Sequence, residues 1–133
     1  MPTAIDFLGI WEEAHKDCVT TSEQEKAAYL LGTIGPRIAA AALGLSDARQ
    51  LKSWARDQGG GGPREAIVAK RLDVLFQATR AISNAYSAAV AARFLRSANP
   101  QLDDLAPLEV LGDARDDDGL RQVLVATRAF LEG

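Results

Sequence analysis

The fold is decided by the stretch from Arg64 to Ser97, REAIVAKRLDVLFQATRAISNAYSAAVAARFLRS. In it Val68, Leu72, Leu75, Thr79, Ile82, Tyr86 and Ala89 recur at alternating intervals of four and three residues. That spacing gathers all seven on one side of an α-helix and scatters them over both faces of a strand. Neither glycine nor proline interrupts the stretch, so it predicts about 34 residues of helix, with Ser83-Asn84 as the place for a kink. Asn99-Pro100 stops it. At 1.5 Å per residue such a helix spans about 50 Å, more than one globule of 14.2 kDa covers. A homodimer or higher oligomer is therefore expected.

The rest of the 133 residues reads the same way. Alanine fills 24 positions and leucine 16, the residues that cost least to hold in a helix. Val, Ile and Thr number 7, 6 and 6 and do not alternate, so sheet-forming runs are scarce. The predicted fold is all-α. Thr3 is placed to cap a first helix carrying Ile5, Leu8 and Trp11. Ser22 and Glu25 form an S-x-x-E capping box for a second. Gly35-Pro36 separates this from a short third helix, Arg37 to about Leu43, ended by Gly44. Ser46 is read as the cap of a fourth, reaching about Asp57. Gly59–Gly62 and Pro63 break the chain before Arg64. A short turn of helix at Pro107–Leu111 and a last helix, Gly119 to Glu132, complete the reading.

Several functions are excluded or disfavoured by what is missing. One cysteine and one histidine support neither a disulfide framework nor a Cys/His zinc site. His15 and Cys18 read as a surface histidine and a packed cysteine, and Asp116–Asp118 as a solvated acidic loop. The glycine run lacks the Lys-Ser/Thr of a phosphate loop and follows a helix rather than a strand. No Ser/His/Asp arrangement can be drawn. The expectation is a non-enzyme with no cofactor and no metal. The longest uncharged stretch, Ala81 to Ala92, falls far short of the ~20 residues of a membrane span. Acids precede the first base, Lys16, so no signal peptide is read, and a cytoplasmic protein is expected.

The net charge of −3 hides a segregation. Residues 1–35 carry two bases against six acids, residues 36–80 eight against four, and residues 97–133 three against eight. A basic middle predicts an anionic partner there. Residues 38–56, IAAAALGLSDARQLKSWAR, fit a helix-turn-helix. Ala39 or Ala40 is the small residue where the helices cross, Gly44 lies in the turn, and Leu51 and Trp54 anchor the second helix. Ala48, Leu51, Trp54 and Ala55 share one face of that helix, and Arg49, Lys52 and Arg56 the other. Arginine bridges guanine N7 and O6 and glutamine pairs with adenine. Arg49, Gln50, Lys52, Ser53 and Arg56 are thus the candidate DNA-binding residues. The turn is one residue longer than usual for the motif, and any amphipathic helix has a charged face.

The C-terminal stretch from Ala92 to Gly133 contains Phe94-Leu95, Asn99-Pro100, Leu102, Pro107-Leu108-Glu109, Leu111, Gly119, Val123 and Glu132-Gly133. It resembles the toxin-binding domain of the Xre/MbcA/ParS antitoxins, in which Trp-Leu, Asn-Pro, Leu-x-Gly, Thr-Pro-Leu-Glu-Leu-Leu, Gly, Val and a terminal Glu-Gly recur. The likeness covers about residues 30–133, the helix-turn-helix matching the Xre-like half. It implies a bacterial type II antitoxin that covers the active site of a RES-domain toxin, an NAD⁺-degrading or ADP-ribosylating enzyme, and binds its own operator DNA. Toxin contacts are expected at Phe94, Asn99, Leu102, Pro107, Leu108, Asp116, Asp117, Val123, Phe130, Glu132 and Gly133, several of the apolar residues among them building the domain's own core rather than the interface. Asp116 and Asp117 are expected to be surface charges whose reversal leaves stability nearly unchanged. On this reading residues 1–30 are a helical extension, 31–82 the helix-turn-helix region with the linking helix, and 83–133 the toxin-binding domain.

The sequence departs from the family at three places. Phe94 stands for Trp, Asp103-Asp104 stands where the family has x-Gly, and Ala106 stands for Thr. Relatives often continue past the Glu-Gly, whereas this sequence ends at Gly133. The alternative is a stand-alone helix-turn-helix transcriptional regulator without a toxin.

Overall fold

In a computed structural model, residues 6–56 and 61–133 are described, and they are helical throughout apart from connections. In chain order the helices are α1 (Phe7–Thr20), α2 (Glu23–Thr33), α3 (Pro36–Leu43), α4 (Arg49–Arg56), α5 (Ala66–Ala85), α6 (Ala88–Arg96), α7 (Pro107–Asp113) and α8 (Asp117–Glu132). A 3₁₀ turn, Pro100–Leu102, lies between α6 and α7. Thr3, Asp57 and part of the Gly59–Gly62 run fall outside the described residues.

Local chemistry sets the helix ends. Asp6 caps α1 by accepting from the Gly9 amide at 2.9 Å, and Ser22 caps α2 by accepting from Glu25. Pro36 opens α3, and Gly44, at φ 74°, closes it in the left-handed conformation. Asp116 caps α8, its Oδ1 accepting from the amides of Asp118 and Gly119 at 3.1 and 3.3 Å. The last helix therefore starts two residues before Gly119, and Asp116 is a structural cap rather than a free surface charge. Asp117 is paired, receiving a hydrogen bond from Lys70 Nζ at 3.0 Å.

The long helix read from Arg64 to Ser97 is two helices. The chain leaves α5 at Tyr86, whose φ and ψ of −131° and −86° are not helical, and Ser87 caps α6 by accepting from Val90. The break falls three residues beyond Ser83-Asn84 because Ser87 supplies an N-cap and Tyr86 supplies an aromatic anchor. The Tyr86 ring lies 6.1 Å from that of Phe7 and 5.9 Å from that of Phe130. The seam residues Val68, Leu72, Leu75, Thr79 and Ile82 are buried, whereas Tyr86 and Ala89 are exposed. At 20 residues α5 spans about 30 Å and is packed on its own chain, against α1, α2, α3, α6 and α8. The length argument for a dimer falls with the break.

One buried apolar cluster draws on every described helix, from Ala14 on α1 through Leu43, Leu51 and Leu75 to Val123 and Leu131. The divisions read from sequence at residues 30/31 and 82/83 fall inside α2 and α5. Beside α5, α3 and α7 approach closely. A Cβ added at Gly112 would lie 2.5 Å from the Ala41 carbonyl oxygen, so only glycine allows this spacing. Five polar side chains are buried among the described residues, Lys26, Arg71, Gln77, Thr79 and Thr127, the last donating to the Val123 carbonyl at 2.7 Å. Lys26 pairs with Asp73 at 2.7 Å, Arg71 binds backbone carbonyls, and the Thr79 hydroxyl has no partner among the described residues. No helix of the described residues is long and apolar enough to cross a membrane.

Candidate functional site

The second helix of the proposed helix-turn-helix is α4. Its apolar face is seated, with Leu51 fully buried and Trp54 7 % exposed. It rests mainly on α2 and less on α3, and Gln24 Nε2 on α2 donates to the Ala55 carbonyl at 3.3 Å. Ala39 and Ala40 are buried, although α3 lies chiefly against α7. The connection between the two helices covers residues 44–48, longer than the 3–4-residue turn usual for the motif.

The opposite face of α4 is polar and open. Arg49, Gln50, Lys52, Ser53 and Arg56 are all exposed, as one side of an amphipathic helix must be. The helix starts at Arg49 rather than after Ser46. Asp47 supplies the local acceptor, its Oδ1 taking the Arg49 amide at 2.9 Å, while the Ala48 carbonyl accepts the first bond from Lys52. Asp47 Oδ2 also accepts from Arg49 Nε and Nη2 at 3.0 and 2.8 Å. Those hydrogen bonds hold the Asp47 carboxyl below the usual carboxylate range and raise the arginine pKa. Arg49 is thereby aimed along the turn although its side chain is 90 % exposed. Lys52 and Arg56 form no ion pair among the described residues.

The residues assigned to toxin contact separate into two groups. Phe94, Leu102, Pro107 and Val123 are buried and belong to the molecule's own packing. Phe94 packs against Phe130 in a tilted pair, with ring centroids 4.9 Å apart. Asn99 is also structural. Its side chain accepts from the Gln101 amide, and its backbone bridges to Leu105. Glu109 Oε1 takes the Ala106 amide at 3.2 Å; alanine has no side-chain oxygen to return the bond. Asp103 and Asp104 adopt φ of 54° and 67°, the left-handed conformation that favours glycine. Leu108 is half-buried, and Asp116, Asp117, Phe130, Glu132 and Gly133 are exposed. Glu132 lies 3.9 Å from Arg128.

Two features were not read from the sequence. Tyr86, taken as a seam residue, is 44 % exposed beside Phe130, at 38 %. Arg64 and Arg115 line one cleft with Gln50 and Ser53, a juxtaposition hidden by their distance along the chain. His15 is exposed and lies 3.4 Å from Gln77. Cys18 is buried, and burial pushes its thiol pKa up. Among the described residues no group of three His, Cys, Asp or Glu side chains is placed to hold a metal ion.

No family model matches the chain, and comparison with curated proteins and with solved structures gives no match.

Proposed function

We propose that this chain is the antitoxin of a type II pair, which binds its own operator through α4 and a RES-domain toxin through its C-terminal helices. The observation that carries the DNA reading is the division of α4. Leu51 and Trp54 fasten the helix to α2 and the core, while the Arg49, Gln50, Lys52, Ser53 and Arg56 side chains face solvent. A helix fixed on one side and cationic on the other can enter a major groove, with arginine and glutamine toward base edges and lysine toward phosphates.

The toxin reading is supported by the resemblance of residues 92–133 and by an exposed remainder after the core residues are removed. That remainder is Asp116, Asp117, Phe130, Glu132 and Gly133, with Leu108 half-exposed, the exposed Tyr86 ring beside Phe130 and an acidic balance over residues 97–133. An NAD-processing cleft must hold two phosphates and is therefore basic, so an acidic cover finds it quickly. Co-expression with the product of the adjacent reading frame tests this half. A stable complex, weakened by Phe130→Ala or Tyr86→Ala, supports it. A neighbour that cells tolerate alone and that does not bind leaves the regulator without a toxin.

A further inference from the structure

Between α4, the start of α5 and the end of α7 lies a cleft of about 720 Å³, within the range of small-molecule sites. Gln50, Ser53, Trp54, Arg64, Arg71 and Arg115 line it, and Glu65 is the one carboxylate on its wall among the described residues. Some other described cations are held by carboxylates at short range, as in Lys26–Asp73, Lys70–Asp117 and Arg80–Asp17, while others, Lys52 and Arg56 among them, form no ion pair among the described residues. None of the three cleft arginines has a carboxylate partner within ion-pair distance among the described residues.

Arg71 forms the deep end of the cleft and is 4 % exposed. Nη1 donates to the Leu43 carbonyl at 3.0 Å, and Nε and Nη2 donate to that of Ala114 at 3.2 and 2.6 Å. These bonds fix the guanidinium without neutralising it, and each terminal nitrogen keeps a second N–H. Burial, and then the like charge of Arg115, draw the Arg71 pKa down from its ordinary value. The N-terminus of α5 adds to the same field, since Glu65 at its N-cap gives no side-chain cap to the first-turn amides. A role for Arg71 in holding two helix ends accounts for its own bonds. It leaves Arg64 and Arg115 on the cleft without a carboxylate partner among the described residues.

We propose that this cleft binds a small phosphate-bearing anion. Guanidinium forks match phosphate oxygens, and the three arginines outnumber the two carboxylates that act on Arg71, Glu65 and Asp113, so the cleft favours an anion. A small molecule fits better than duplex DNA, because the convex backbone of a duplex does not reach a guanidinium buried at the bottom of a cleft. The site stands independently of the DNA reading, and an occupant would lie against Gln50 and Ser53.

The test titrates the full chain with inorganic pyrophosphate, by calorimetry and by following the two tryptophan indole resonances. The expected result is saturable one-site binding that shifts Trp54, which lines the cleft, and leaves Trp11 on α1 in place. Arg115→Gln and Arg64→Gln, exposed side chains with no ion pair to lose among the described residues, are each expected to weaken binding about tenfold. Arg93→Gln, an exposed arginine on α6, is expected to change nothing. Absence of saturable binding overturns the proposal, as does equal weakening by Arg93→Gln, which would mark general charge attraction. If pyrophosphate shifts no resonance while Arg115→Gln and Arg64→Gln weaken duplex binding, the arginines serve a DNA backbone and the small-ligand site is overturned.

Discussion

Arg71 on α5 donates from Nη1 to the carbonyl oxygen of Leu43, the last residue of α3, at 3.0 Å. The same guanidinium holds the Ala114 carbonyl just past α7, so one side chain satisfies acceptors at two helix ends that a helix leaves open. Arg71→Met should leave both carbonyls buried and unpaired, at about 1–3 kcal/mol each. Chemical denaturation should show a loss of several kcal/mol. Arg71→Lys, with no fork to bridge two acceptors, should recover only part of it. A loss below about 1 kcal/mol for Arg71→Met would contradict this role.

Two glycines in helices should respond oppositely to alanine. At Gly112 the new Cβ would lie 2.5 Å from the Ala41 carbonyl oxygen, a backbone atom that cannot swing away. Gly112→Ala should cost about 1–3 kcal/mol despite alanine's better propensity. Gly32 on α2 has open space around a Cβ, and Gly32→Ala should gain up to about 1 kcal/mol. Thermal melts of the two variants, moving in opposite directions, check the α3–α7 approach.

Asp104 sits at φ 67°, the left-handed conformation that favours glycine. Asp104→Gly should therefore relieve about 1 kcal/mol of backbone strain and raise the melting temperature. An unchanged or lowered melting temperature would argue that the aspartate side chain stabilises the turn in a way its backbone conformation does not reveal.

The two aspartates assigned to toxin contact differ in what they do for the fold. Asp116→Lys removes the α8 cap and should cost about 1 kcal/mol. Asp117→Lys breaks an exposed pair with Lys70 and should cost less, since such pairs contribute about 0–1 kcal/mol. Reversal of Asp117 is the cleaner probe of charge steering toward a toxin, and equal losses for both variants would contradict the capping role.

The helices were legible because their signals are local: the four-three spacing of Val68 to Ile82, the Ser22 cap, Pro36 and Gly44. The break at Tyr86 was not, because the apolar period continues through Ala89 and the deciding contacts are with Phe7 and Phe130, far away in sequence. The polar face of α4 could be read because Leu51 and Trp54 fix which side is buried. The C-terminal residues were harder to sort. Phe94, Leu102 and Val123 are apolar residues of a recurring pattern, and pattern alone does not separate a core from an interface. The arginine cleft was invisible for the simplest reason, that Arg64, Arg71 and Arg115 meet only when α5 and the end of α7 come together.

The central claim is that α4 reads DNA, and fluorescence anisotropy tests it most directly. A labelled duplex from the region upstream of this protein's own reading frame is titrated across a salt series beside a random duplex of equal length. The upstream duplex should bind more tightly at moderate salt. Lys52→Ala should weaken both duplexes alike and lower the salt slope by about one unit. Arg49→Ala should reduce the preference at one base-pair position by about 1–3 kcal/mol. Equal affinity for the two duplexes, unchanged by either substitution, would contradict the account.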